Sequence, residues 1–270
     1  MRKMIPIIIV TYNKLEQFTI PCIESIIENT SGPFKIILVD NASSDNTAEI
    51  IKSKYKFIDV ISNTANTGWA GGNIDGINHI SNNYDYDYFC LLNSDTLLSY
   101  NWLSKLADLL DSNQKAASII PTERVLNTNL LKKIYINYLS ENVVFKKMIS
   151  ATPLRLLKGK GISMPREVKP VVRNVENLKV NEINEINSKI EKKYRNKVEK
   201  SAFIKSGYCV LLRKHIQNEY VYYLENFNSL FPSKSIEYWS KISAQKNVTH
   251  LLSKGTYVYH YRGGSGGYFI

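Results

Sequence analysis

Cysteine is sparse in this chain: 3 among 270 residues, Cys22, Cys90 and Cys209, far apart and with no CxxC pair. That excludes a disulfide scaffold and a structural zinc site, and it points to a reducing compartment. Cys90 and Cys209 sit in apolar runs and read as small core residues. Long apolar runs are also missing, and none approaches the ~20 residues of a membrane-spanning helix. Met1–Val10 imitates a leader, with Arg2 and Lys3 ahead of apolar residues. The apolar part is too short and no small-residue cleavage site follows, so it reads as a buried first strand. There is no Walker motif, and Gly68–Gly72 does not spell G-x-G-x-x-G, so P-loop and dinucleotide readings fall. The one G-x-S-x-G match, Gly263 to Gly267, lacks the following helix and later Asp and His partners of a nucleophile elbow.

Apolar residues make up 44% of the chain, enough for a substantial core without staples. At about 150 residues per domain the length allows one large α/β domain or two small ones. Acidic residues are in deficit: 24 against 35 Lys+Arg, a net charge of +11. The excess is local. Residues 130–200 hold 17 Lys+Arg and 7 Asp+Glu, a balance of +10, and the remainder balances at +1. One segment, not the scaffold, therefore carries any attraction to anionic partners. No stacking aromatics are patterned with these basic residues, so a nucleic-acid partner is not expected.

Strand and helix signals alternate over the first 120 residues. Strands are expected at Ile5–Val10, Phe34–Val39, Phe57–Ile61, Tyr86–Leu92 and Ala116–Ile120. Helices are expected at Glu16–Glu28, Asp45–Lys54, after the loop Asn66–Asn73, and at Asn101–Leu110. This is the pattern of βαβ units and a mostly parallel sheet, which binds ligands at the carboxyl ends of its strands. Those ends carry Thr11-Tyr12-Asn13, Asp40-Asn41, Asn66-Thr67-Gly68 and Asn93-Ser94-Asp95. Asn, Asp and Thr there suit a nucleotide-binding rim, and they also suit ordinary turns and caps. Further on, Asn181–Lys200 reads as a polar helix, Ala202–Leu212 as a strand, Ile236–Gln245 as a helix and Thr256–His260 as a strand.

Asp95 is the sharpest residue, a carboxylate after a buried strand that can bind a divalent cation and through it a diphosphate. The ordered set Ile9-Val10-Thr11-Tyr12-Asn13, Val39-Asp40-Asn41-Ala42-Ser43-Ser44-Asp45, Asn66-Thr67-Gly68-Trp69-Ala70-Gly71-Gly72-Asn73 and Leu91-Leu92-Asn93-Ser94-Asp95-Thr96 resembles family 2 glycosyltransferases of the GT-A fold. More narrowly it is similar to bacterial rhamnosyltransferase-like members of polysaccharide pathways. The resemblance covers residues 5–120 well, 203–265 loosely and 125–200 not at all.

The resemblance implies a three-layer α/β/α sandwich with a mostly parallel central sheet. Its nucleotide-sugar-binding half would span 1–124, a basic, partly helical insertion 125–200, and an acceptor-binding half 201–270. It implies a nucleotide diphosphate-sugar donor, a divalent metal (Mn²⁺ or Mg²⁺), and single displacement with inversion at the anomeric carbon. By the resemblance, Thr11, Tyr12, Asn13 and Asn41 would line the nucleotide site and Asp40 would bond the base. Asn66, Gly68, Gly71, Gly72 and Asn73 would admit the donor closely. Asp95 would hold the metal within the motif Asn93-Ser94-Asp95, where the family usually has a first Asp at position 93. His260 is a candidate second metal ligand beside a lone Asp, and Arg262 a partner for the diphosphate.

The reaction needs a base for the acceptor hydroxyl. The family's acidic pair falls on Lys234-Ser235 here, which leaves Glu237 or Glu225 as candidates. The expected activity is transfer of a sugar, with rhamnose the one the narrower resemblance suggests, to a polysaccharide or lipid-linked saccharide. The alternative is an inactive module that binds nucleotide or saccharide, or docks a partner enzyme. Residues 130–160 set Lys132, Lys133, Lys146 and Lys147 among apolar residues, so contact with an anionic membrane is expected there. The expected location is cytoplasmic, peripheral on the inner face of the cell membrane.

Overall fold

The β-branched run at the start forms β1 (Ile5–Thr11), in which all but Val10 are buried. A computed structural model of the chain describes residues 2–123, 180–230 and 234–261, and these belong to one compact unit. The basic stretch 124–179, including residues 130–160 where membrane contact is expected, lies outside the described residues.

β1 pairs in parallel with β2 (Phe34–Asp40) on one side and β4 (Tyr88–Asn93) on the other, and β2 pairs in parallel with β3 (Asp59–Ser62). In register, Thr11 meets Asp40, Asp40 meets Ser62, and Val10 meets Asn93. The polar strand ends thus form one edge, where an open α/β sheet takes its ligands.

Alternate residues of the strands feed opposite faces. Ile7, Ile9, Ile36, Leu38 and Cys90 pack with Ile23 and Ile26 of α1 (Ile20–Asn29), Ile51 of α2 (Thr47–Lys54), and Trp102 and Leu106 of α4 (Trp102–Asp111). Ile8, Ile37, Phe89 and Leu91 face the other way, against Ile77 and Ile80 of α3 (Gly68–Asn83). The same layer holds Tyr220 of α6 (Gln217–Glu225) and Trp239 of α8 (Ser235–Lys246). Helices on both faces of a central sheet make the α/β/α sandwich expected from the sequence. A single π-helical turn, Leu15–Thr19, leads into α1, where Pro21 sits in the first turn with no N–H to leave unpaired.

Beyond β4 the pairing changes sense. β8 (Cys209–Arg213) runs antiparallel to both β4 and β6 (Ala116–Thr122), and β6 pairs in parallel with β9 (Thr249–His260). β5 (Thr96–Leu98) and β7 (Val198–Ser201) each pair antiparallel with β9. β9 is longer than the expected Thr256–His260 and serves two neighbourhoods. Its first half sits between β6 and β7, and its last three residues reach β5.

Three sequence expectations change. The strand expected over Ala202–Leu212 is a strand only from Cys209, and Phe203–Tyr208 form an irregular segment instead. The helix expected over Asn181–Lys200 ends at Tyr194, as α5 (Val180–Tyr194), and β7 follows it. That helix is not polar all round: Ile183, Ile186 and Ile190 are buried, a stripe at helical spacing. It packs on β9, where Asn187 Oδ1 accepts the Tyr257 N–H at 2.9 Å. At Gly255 a Cβ would lie 2.6 Å from the Tyr194 carbonyl, so glycine permits the helix end to approach the strand.

Candidate active site

Above the carboxyl edge of the sheet lies a cleft of about 840 Å³. One side is polar and comes from Thr11, Tyr12, Asn41, Asn66 and Gly68; the other is aromatic, from Tyr208, Tyr220, Tyr223, Phe227 and Trp239. Trp69, Asn93 and His260 also line it.

Asn41 organises the polar side. Its Nδ2 donates to Asn66 Oδ1 (2.8 Å) and to the Gly68 carbonyl (3.0 Å), and its Oδ1 accepts from Asn63 Nδ2, the Thr67 N–H and Thr67 Oγ1. A buried carboxamide with every lone pair and hydrogen occupied holds the segment that opens α3. Asn13 and Asp40 brace the adjacent loops: Asn13 Oδ1 accepts the Ser44 N–H at 2.8 Å, and Asp40 Oδ1 accepts the Ser43 N–H at 3.1 Å. Neither Asn13 nor Asp40 lines the cleft. Asn13, Lys14, Ala42 and Asn46 all have positive φ, a concentration of unfavourable backbone around the rim.

The glycine-rich segment divides into two kinds of residue. Gly68 (φ +73°) makes the left-handed entry to α3 and lines the cleft. Gly71 and Gly72 do not line it. A Cβ on Gly72 would lie 2.6 Å from Val10 Cγ1, and one on Gly71 would lie 2.5 Å from Thr67 Cβ. Gly72 lets α3 sit on the end of β1, and Gly71 leaves room for the Thr67 side chain at the start of the helix. Asn73 is buried and its Nδ2 donates to the Trp69 carbonyl at 2.7 Å. Ser94 is buried beside Asp95.

At the end of β4 the structure brings together residues far apart in the chain. Asp95 is fully buried, and its Oδ1 lies 3.3 Å from His260 Nε2. Glu123 Oε2 lies 3.3 Å from the other ring nitrogen, Nδ1. Asn93 Nδ2 is 3.4 Å from Nε2, and Asn93 Oδ1 accepts from Trp69 Nε1 at 3.1 Å. The Tyr208 ring stacks on the imidazole, with centroids 4.9 Å apart and planes 12° apart. Burial on its own pushes the imidazole pKa down, but the Asp95 and Glu123 carboxylates outweigh it and hold His260 up at about 9. The protein therefore favours positive charge beside Asp95.

A cation bound there would displace the Nε2 proton, and the carboxylate oxygen beside the imidazole nitrogen would then fit a divalent cation, the oxygen suiting Mn²⁺ or Mg²⁺. Among the described residues no three His, Cys, Asp or Glu side chains form a complete metal shell. Asp95 and His260 would thus supply two donors, leaving the rest to ligand and water.

The family model of glycosyl transferase family 2 matches residues 7–221. The chain belongs to glycosyl transferase family 2. Among solved structures the mannosyltransferase PcManGT from Pyrobaculum calidifontis, in complex with GDP-Man and Mn²⁺, is similar over 98% of this chain and 59% of that one, with TM-score 0.53 and 13% identity. GalNAc-T7, with UDP, GalNAc and Mn²⁺, is similar over 96% of this chain and 44% of that one, with TM-score 0.55 and 12% identity. TarS 1–349 from S. aureus matches 46% of this chain and 37% of its own, with TM-score 0.39 and 18% identity. The chain thus spans well under two thirds of each of these proteins. No curated protein sequence matches it. The likenesses to PcManGT and GalNAc-T7, with the family match, identify the fold as GT-A.

Neither candidate for the base reaches the cleft. Glu237, expected as that base, is exposed on α8 and does not line the cleft. Ser235, Ile236 and Trp239 hold the inner face of that helix, so Glu237 points elsewhere. Glu225, the other candidate, is exposed at the end of α6 and is likewise off the cleft. Among the described residues, no carboxylate lines the cleft. Arg262 lies outside the described residues. Glu123 and Tyr208 are the site residues that sequence reasoning missed. Glu123 follows the end of β6 and Tyr208 precedes β8, and neither belongs to a motif; only their places beside His260 mark them.

Proposed function

We propose that this chain transfers one sugar from a nucleotide diphosphate-sugar to a saccharide or lipid-linked saccharide acceptor. The observation that carries the reading is the Asp95–His260 pair, 3.3 Å between donors: His260 lines the cleft with Thr11, Asn41 and Gly68, and Asp95 is buried directly behind it. Asp95 and His260 would hold a divalent cation, Mn²⁺ or Mg²⁺, which supplies charge neutralisation on the departing diphosphate. Thr11, Tyr12 and Gly68 bind and orient the nucleotide end of the donor. Trp69 and Phe227, half-buried on the cleft wall, offer apolar surface suited to the C–H side of a sugar ring. By the family resemblance the acceptor oxygen attacks the anomeric carbon as the bond to diphosphate breaks, and configuration inverts. The narrower resemblance makes a rhamnosyl donor the first to try. The basic residues 130–160 would rest on the anionic inner face of the cell membrane. Sedimentation with anionic vesicles at low and high salt tests that contact, and absence of binding at low salt would end it.

The primary test is a thermal-shift screen of dTDP, UDP and GDP, each with and without Mn²⁺ or Mg²⁺. A nucleotide at 100 times its Kd stabilises the folded state by about 2.7 kcal/mol, a rise in melting temperature of roughly 5–10 °C. One nucleotide giving a metal-dependent rise that Asp95→Asn removes would support the donor site. No shift with any nucleotide would sink it.

A second reading has an observation of its own. With Glu237 and Glu225 exposed and off the cleft, the chain could bind nucleotide and saccharide without transferring sugar. A metal-dependent nucleotide shift without transfer or donor hydrolysis would favour that binding module.

A further inference from the structure

Glu123 stands at the end of β6, 137 residues before His260 in the chain, and meets it at Nδ1, the ring nitrogen turned away from Asp95. The same strand end fixes the ring in a second way. The Tyr208 hydroxyl donates to the Pro121 carbonyl at 2.8 Å, and the Tyr208 ring lies flat on the imidazole. The register of β6 on β9 pairs Thr122 with Tyr257, so the end of one strand is held beside the last residues of the other. Glu123 and the Tyr208 ring, both tied to the end of β6, thereby set the edge and the tilt of the imidazole.

We propose that Glu123 is a positioning residue that orients His260 as a metal ligand. By accepting the Nδ1–H, Glu123 keeps a proton on that nitrogen, so that Nε2, the atom beside Asp95, is the one that gives its lone pair to a cation when the cation displaces its proton. Histidine ligands commonly give their second ring nitrogen to a carboxylate, which fixes the tautomer and ring orientation. Glu123 itself need not touch metal or substrate. The inference rests on the donor-site reading above.

The test measures Mn²⁺ affinity from the free-ion electron paramagnetic resonance signal, with Mn²⁺ alone and then with each nucleoside diphosphate. The proteins are wild type, Glu123→Ala, Glu123→Gln and His260→Ala. Glu123→Ala should weaken Mn²⁺ binding roughly 10- to 100-fold. Glu123→Gln, which still offers an oxygen to Nδ1–H, should recover part of that loss. The near-UV circular dichroism and the melting temperature measured in EDTA should stay close to the wild-type values in both, which a general loss of structure would not allow. Wild-type Mn²⁺ affinity in Glu123→Ala, with affinity lost in His260→Ala, would overturn the role of Glu123 and leave the metal pair standing. Wild-type affinity in His260→Ala, or no Mn²⁺ binding by the wild-type chain, would bring down the metal pair and this inference with it.

Discussion

Replacing Gly72 with alanine separates two explanations of the glycine-rich segment. The new Cβ would lie 2.6 Å from Val10 Cγ1 and 3.1 Å from Val10 Cγ2. Real carbon atoms do not approach so closely, so α3 must lift from β1 or Val10 must leave its rotamer. Overpacking of this kind costs about 1–3 kcal/mol. Alanine in a helix returns roughly 0.8–1.0 kcal/mol relative to glycine. The net loss should be about 1 kcal/mol, a drop of roughly 2–4 °C in melting temperature for a chain of this size. Urea unfolding of the wild type, Gly72→Ala, Val10→Ala and the double variant measures it. Val10→Ala removes the atoms that collide, so the two changes should couple favourably, within the ~0.5–3 kcal/mol range seen for residues in contact. Nucleotide diphosphate affinity should barely change, because Gly72 does not line the cleft. A Gly72→Ala protein as stable as wild type that no longer binds nucleotide would refute the packing explanation. It would return this glycine to the role the family resemblance implies.

Further predictions follow from single side chains. Burial lowers His250 to about 4 from 6.5, between Ser118 Oγ (2.7 Å) and Ser243 Oγ (3.1 Å). A depressed folded-state value means the unfolded chain takes up the proton first. The associated stability is full above pH 6.5 and lost as pH falls toward 4, about 3 kcal/mol in all. The difference in unfolding free energy between wild type and His250→Gln should shrink by that amount across the window, and a flat difference would contradict it. Glu237→Gln should leave the transfer rate at the wild-type level, since Glu237 is exposed and off the cleft. A fall of roughly 100-fold would restore it as the base. Asn41→Ala takes their partner from the Thr67 N–H, the Thr67 hydroxyl and the Gly68 carbonyl, while Asn63 keeps Asp75 and Asn66 keeps the Gly68 N–H. It should cost about 1–3 kcal/mol of stability and abolish the metal-dependent nucleotide shift. A shift of wild-type size would show that the rim does not depend on this hub.

Much of the scaffold was legible because its code is local. The β-branched run at Ile5–Val10 can be nothing but a strand buried on both faces, and Ile23, Ile26 and Ile27 recur at helical spacing. Such patterns survive in the fold because each needs only its own few neighbours. They predict the parallel β1–β4 block and the edge that carries Thr11, Asp40 and Asn93. Where long-range packing takes over, legibility fails. Gly71 and Gly72 look like a ligand loop in sequence, and only the position of Val10 and Thr67 reveals that Gly72 makes room for a helix on β1 and Gly71 for the Thr67 side chain. Asn181–Lys200 looks polar because an apolar stripe of Ile183, Ile186 and Ile190 is diluted among charges, and β9 supplies the surface that buries it. Glu237 keeps the same identity on either face of α8; the choice of face belongs to Trp239, buried against Tyr220 and Tyr223. The site itself is the clearest case. Asn93 and Asp95 lie at the end of β4, and His260 lies 167 residues after Asn93. No local pattern links them. They meet because β9 bends from β6 to β5, and the same pairing draws Glu123 to the far side of the ring. Sequence alone thus determined the elements and the polar strand ends; tertiary structure decided which distant side chains share a charge, because only contact across strands sets that.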